Sequence, residues 1–178
     1  MKKNIYVVAS VFLIILVLFS RIIPHAPNFT PLISIVLLSS ILFKSKRCFA
    51  LPLIGLFLSD ILLEVFHFNG YIFSSIFFWT YASLLLVFMF SFRFNNGINI
   101  KNILFHSFSG AFIFFIVSNF GVWSSSEMYS KDFLGLMESY LMAIPFYANS
   151  LISTIFFSLV FYATRNIALE TRPFNYFK

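Results

Sequence analysis

From Asn4 to Thr164 the chain is a succession of long apolar runs, broken by short polar or charged stretches. This pattern constrains the fold more than any motif does. A helix rises about 1.5 Å per residue, so about 20 apolar residues cross a hydrocarbon core of about 30 Å. Six runs qualify as candidate spans: residues 4–23, 28–43, 48–66, 71–92, 102–122 and 138–164. The second is short, and is expected to be tilted or to enter the bilayer part-way. The last belongs to a longer apolar run from Phe133, too long for one straight span. Its first turns are expected along the interface, with Pro145 marking a kink or a break. The expected fold is an all-α integral membrane protein, a six-helix transmembrane bundle in a single domain.

Composition agrees. Sixty per cent of the 178 residues are hydrophobic, 10% are charged, 28 are phenylalanine, and the mean hydropathy is +0.93. Soluble domains carry about 25% charge, and no water-soluble core of this size could hide so much apolar surface. The lipid bilayer is therefore the expected environment. The net charge of +6 is read as a topology signal, and no nucleic-acid partner is expected. The single Cys48 excludes an internal disulfide and a cysteine-only metal site.

Basic residues set the orientation. Lys2, Lys3, Lys44, Lys46, Arg47, Arg93, Lys101, Arg165, Arg172 and Lys178 fall on one side of a six-span map, ten of the twelve Lys and Arg. Only Arg21 and Lys131 fall on the other. Cytoplasmic loops are enriched in Lys and Arg, so both termini are expected inside, in a cytoplasmic (inner) membrane. The first run resembles a signal peptide, but Ile5 to Phe19 is long for a signal core, and Leu18 occupies a position where a small residue is preferred. It is expected to be a retained helix.

On this map the unusual polar residues gather on the outer side. The connector RIIPHAPNFTP, Arg21 to Pro31, contains three of the six prolines with His25 and Asn28. Each proline fixes its own φ and disfavours helix before it, so the loop's shape is largely preset. Asp60, Asn119, Trp123, Tyr129 and Asn149 lie in the outer halves of later runs or in outer loops. The candidate ligand-binding residues are thus Arg21, His25, Asn28, Asp60, Asn119, Trp123, Tyr129 and Asn149.

Asp60, Glu64 and His67 share one helical face by their spacing. A carboxylate at mid-bilayer costs about 2.5–3.5 kcal/mol on insertion scales, so Asp60 is expected to face the interior, with Arg21 as its natural partner. That pair either locks the bundle or shapes an outward-facing site. A metal set from Asp60, Glu64, His67 and His25 fits by residue type, but helix spacing alone supports it weakly. No nucleophile accompanies the carboxylates, and no cofactor is expected. Trp123, Tyr71 and Tyr129 also suit an interfacial aromatic belt.

RIIPHAPNFTP, LPLIGLFLSDILL, SNFGVW, Tyr129 and GLMESYLMAIPFYANSL together resemble an uncharacterised family of bacterial multi-pass membrane proteins with an R-x-x-P-H-x-P-N-F-x-P loop. The resemblance covers about Arg21 to Phe161 and brings no activity with it. The six-helix layout is in turn similar to the S components of energy-coupling-factor transporters. That likeness implies a small solute bound from outside and a transport module as partner. Those proteins often carry a small-residue stripe on the first helix, whereas here Ala9 is followed by Leu13. Cys48 lies on the cytoplasmic side, where it does not suit cobalamin. The expected function is solute binding from the extracytoplasmic side, as in a transporter subunit. The alternatives are a structural or assembly subunit, and a membrane-embedded enzyme.

Overall fold

A computed structural model describes residues 15, 17–20, 23–43, 50–66, 74–94 and 97–170. Residues 15 and 17–20 belong to a first helix, α1. There follow α2 (Leu32–Phe43), α3 (Ala50–Phe66), α4 (Ser75–Arg93), α5 (Ile100–Ser125) and α6 (Phe133–Glu170). The described residues contain no strand. Three helices are long and apolar enough to cross a membrane: Ser75–Arg93, Ile100–Ser125 and the Phe133–Thr164 part of α6. This points to a membrane protein.

The 12-residue α2 is about 18 Å long, less than a bilayer core. It is nevertheless the centre of the bundle. Residues 31–40 are all buried, because α2 touches α3, α4, α5 and α6 at once. Val36, Leu37, Leu84, Val87 and Phe88 form the heart of the core around it. The tilted or part-way segment expected from its length is thus a helix covered by protein on every side.

The burial pattern inverts that of a soluble domain. Phe78, Phe105, Phe108 and Phe112 are exposed, whereas Ser34, Ser39, Ser40, Ser91, Asp60 and His106 are buried. Most buried hydroxyls turn back onto their own helix: Ser34 donates to Pro31 O (2.6 Å), Ser39 to Val36 O (2.8 Å) and Ser59 to Leu56 O (2.6 Å). Back-bonding satisfies a hydroxyl where water is absent. Small residues meanwhile let helices approach closely. Gly135, Ser139, Ala143, Ser150, Thr154 and Ser158 form the buried face of α6, which packs most extensively against α5.

Helix ends have local causes. Pro31 O accepts the first bond of α2 from Ile35 N–H (2.9 Å), so that helix begins at Leu32 rather than at residue 28. Ser74 and Asn99 cap α4 and α5 by accepting from Phe77 N–H and Asn102 N–H. Asp132 Oδ1 accepts from Gly135 N–H (2.8 Å) and starts α6 before residue 138. The helix then continues through Pro145 for 38 residues without a break. That is about 57 Å, more than a straight crossing needs.

Candidate functional site

A cavity of about 470 Å³ lies where the 24–31 loop meets α2 to α6. The loop is held in three ways. Phe29 N–H donates to Ala26 O (2.9 Å), closing a turn. Asn28 within that turn has φ 61°, a left-handed conformation that asparagine tolerates better than most residues. Asn149 of α6 donates its side-chain amide to Pro27 O (3.0 Å), and the Phe29 ring lies 6.5 and 6.0 Å from those of Phe156 and Phe157. His25 Nδ1–H donates to Ala26 O (2.7 Å), so a neutral His25 presents Nε2 as an acceptor.

The apolar wall comes from Phe114 and Phe115 of α5, Phe146 and Tyr147 of α6, and Leu56, Leu63 and Ile76. Tyr147 and Phe115 rings are 4.8 Å apart. Polar lining comes from His25, Asn28, Thr30, Thr80, Ser118, Asn119, Tyr147 and Ser150. Asn119 gives one N–H to Phe115 O (2.7 Å), which leaves its carbonyl and second N–H available. Ser118 and Thr80 donate to Phe114 O and Ile76 O. Among the described residues, the lining contains no Lys, Arg, Asp or Glu.

The candidates named from the sequence therefore separate. His25, Asn28 and Asn119 line the cavity. Asn149 braces its roof. Asp60 is 1% exposed in the protein interior and accepts a bond from Tyr81 Oη–H of α4 (2.8 Å). Trp123 Nε1–H donates to Ser130 O (2.9 Å), and its ring lies 5.9 Å from Lys131 Nζ. Lys131 also donates to the carbonyls of Trp123 and Ser126, the end of α5, where a helix terminus favours a cation. Tyr129 is half-buried in the same connector, away from the cavity lining. Arg21, Cys48, His67 and Tyr71 lie outside the described residues, and with them the expected Arg21–Asp60 pair. No three His, Cys, Asp or Glu gather into a metal-binding set among the described residues.

Other polar residues escape sequence reasoning. Thr80, Ser118 and Ser150 reach the cavity, but a lone hydroxyl in an apolar run gives no hint of direction. At the opposite end of the bundle His106 is 1% exposed, between Phe90 and Phe105 at ring distances of 5.8 and 5.5 Å. Asn102 is buried nearby in α5. That half is thus less apolar inside than the sequence suggests.

Residues 1–175 match the model of a family of unknown function, DUF6580. The chain belongs to DUF6580. No curated protein and no solved structure matches it. The DUF6580 match runs from the first helix to near the C-terminus, so the loop, the cavity and α6 all lie within it. It carries no activity, substrate or residue roles.

Proposed function

We propose that this DUF6580 protein binds a small solute from the extracytoplasmic side, as a six-span bundle in the cytoplasmic membrane with both termini on the cytoplasmic side. The supporting observation is the cavity beneath the 24–31 loop, with an aromatic wall and convergent hydrogen-bonding groups from the loop, α4, α5 and α6. Ligand sites generally join an apolar wall to a few such groups, at volumes of about 300–1,000 Å³. The charge distribution supports the orientation, since ten of the twelve basic residues fall on the side away from the loop in a six-span map. The R-x-x-P-H-x-P-N-F-x-P connector would then be the roof of the site. An S-component-like role would add a transport module as partner.

A structural or assembly subunit is the second reading. The contacts within the protein of Asp60 with Tyr81, Asn149 with Pro27 and Trp123 with Ser130 favour it. Native mass spectrometry of gently purified protein separates the two. A small molecule carried through purification, and lost on replacing Asn119 by Leu, supports binding. Unliganded protein across several hosts and detergents supports the structural subunit. A reporter fused after Lys178 tests orientation, and activity only outside the cytoplasm would reject it.

A further inference from the structure

Resting on the solute-binding reading, we infer that the 24–31 loop lies at the mid-depth of the bilayer and borders a water-filled vestibule, so that the solute is a water-soluble molecule arriving from the outer aqueous phase and not from the lipid. Helix contacts fix the depth. The rings of Trp79 and Phe120 lie 5.4 Å apart, and those of Phe90 and Phe105 5.9 Å, so α4 and α5 run antiparallel side by side. Their 19 and 26 residues mark out the membrane, since about 20 residues cross it. Tyr147 of α6 packs on Phe112 and Phe115, at ring distances of 6.5 and 4.8 Å, near the middle of α5. Asn149 follows closely along α6, and its side chain meets Pro27 O at 3.0 Å. The Phe29 ring lies 6.5 and 6.0 Å from those of Phe156 and Phe157, about two turns further inward along α6. A connector that its polar residues would assign to the surface thus reaches the centre of the bundle, closing the cavity on the α6 side.

Non-helical backbone at that depth is tightly restricted. Hydrocarbon offers no hydrogen bonds, so irregular segments occur there only when buried in protein or lining a water-filled cavity. Residues 23–31 are non-helical, and residues 24–28 are exposed, so protein does not bury them. His25, Asn28 and Thr30 line the cavity. Water in the cavity is therefore what solvates the loop. A route to that water exists, because Ile76 and Val122 of the lining lie at the outer ends of α4 and α5. Between those ends and the loop, Thr80, Ser118 and Asn119 continue a path of hydrogen-bonding groups. Prolines ease the descent: Pro24, Pro27 and Pro31 have no N–H, which leaves fewer donors to satisfy. A lipid tail in this space would strip water from the polar lining without replacing its hydrogen bonds, which is costly. A polar solute replaces them.

The test is cysteine accessibility of the full chain in sealed right-side-out membrane vesicles. Cys48, the single native cysteine, is first replaced by Ser. Single cysteines then enter at Thr30 in the loop and Ser118 on α5, both near-isosteric changes on different elements. Phe112→Cys is the lipid-facing control at the same depth, since Phe112 is 53% exposed. Met128→Cys, at a position 73% exposed in the outer connector, is the surface reference. The probes are the small anion 2-sulfonatoethyl methanethiosulfonate and the membrane-permeant N-ethylmaleimide. Thiols react as thiolates, which need water around them. Thr30→Cys and Ser118→Cys should react with the anion within about tenfold of the Met128→Cys rate, whereas Phe112→Cys should react at least about a hundredfold more slowly. Thr30→Cys and Ser118→Cys that resist the anion in vesicles, yet react after unfolding in SDS, overturn the vestibule. Reaction at Ser118→Cys alone places the end of the water above the loop and overturns the depth. Reaction with N-ethylmaleimide but not the anion overturns the aqueous route in favour of the lipid, and reaction with the anion only in inside-out vesicles overturns entry from outside. Solute binding itself is judged separately by the co-purified molecule, so a wet cavity without a solute and a dry one with a solute are distinct failures.

Discussion

Asn149 Nδ2 lies 3.0 Å from the carbonyl oxygen of Pro27, a bond between residues 122 positions apart. It ties the proline-rich loop to the longest helix and so holds the roof of the cavity over its wall. Asn149→Ala should loosen that roof without disturbing the core, at a cost of about 0.5–1.5 kcal/mol. Hydrogen exchange gives the readout. The Phe29 amide, bonded to Ala26 O inside the loop, should exchange faster in the variant, and the Ile103 amide near the far end should not. Uniform exchange at both sites would show that the bond does not govern the loop.

Asp60 and Tyr81 form the next pair. The Tyr81 hydroxyl donates to Asp60 Oδ2 at 2.8 Å, joining α3 to α4. Tyr81→Phe removes that donor from a buried carboxyl group and should cost about 1–3 kcal/mol of stability. Asp60→Asn should also destabilise. Thermal unfolding of the two single variants and the double variant forms a cycle. A double loss well short of the sum is expected, because contacting residues couple, and simple additivity would rule out a direct bond.

The α4–α5 interface depends on one glycine. A Cβ added at Gly121 would lie 2.1 Å from Trp79 Cγ and 2.4 Å from its Cβ. Gly121→Ala should therefore destabilise by about 1–3 kcal/mol, through overpacking. Trp79→Leu introduced beside it should recover part of that loss. Gly110→Ala offers a milder comparison, because its added Cβ meets the flexible end of Leu37 at 3.1 Å. An equal loss at both glycines would contradict the clash with Trp79.

A pH effect is expected at the start of α6. The Gly135 N–H and, after it, the Ser130 hydroxyl hold the Asp132 carboxyl below its usual value of 3.8. A folded-state value below the unfolded one means stability that is present above pH 3.8 and lost as pH falls through the folded value. Helix content near Phe133 should thus drop in strong acid in the wild type. In Asp132→Asn that component should be missing, with the remaining acid response unchanged. Identical acid profiles would remove Asp132 from the account.

The helical class is legible in the sequence, because apolar length acts locally. The Asn28 loop announces itself through its prolines, whereas the caps Ser74 and Asn99 do not stand out within the apolar pattern, which places those two starts at residues 71 and 102. The role of α2 is not legible. Its 12 residues look like a marginal crossing, and only contacts from four later helices make it the centre. Trp123 and Asn149 read equally well as ligand contacts or as braces, since residue type does not say where a side chain points.

The burial of α2 has a consequence for how the chain is assembled. Of the helices that cover it, α3, α4, α5 and α6 are all synthesised after it. During synthesis α2 must wait without its final neighbours while roughly three-quarters of the chain is still to come, and at domain scale chains emerge at about 5–20 residues per second. Its hydroxyls suit that wait. Ser34, Ser39 and Ser40 each donate to a carbonyl three residues earlier, so the helix needs no outside partner for them. Residues 31–40 can thus sit against lipid or a nascent neighbour with those groups satisfied, and α6 completes the enclosure when it arrives.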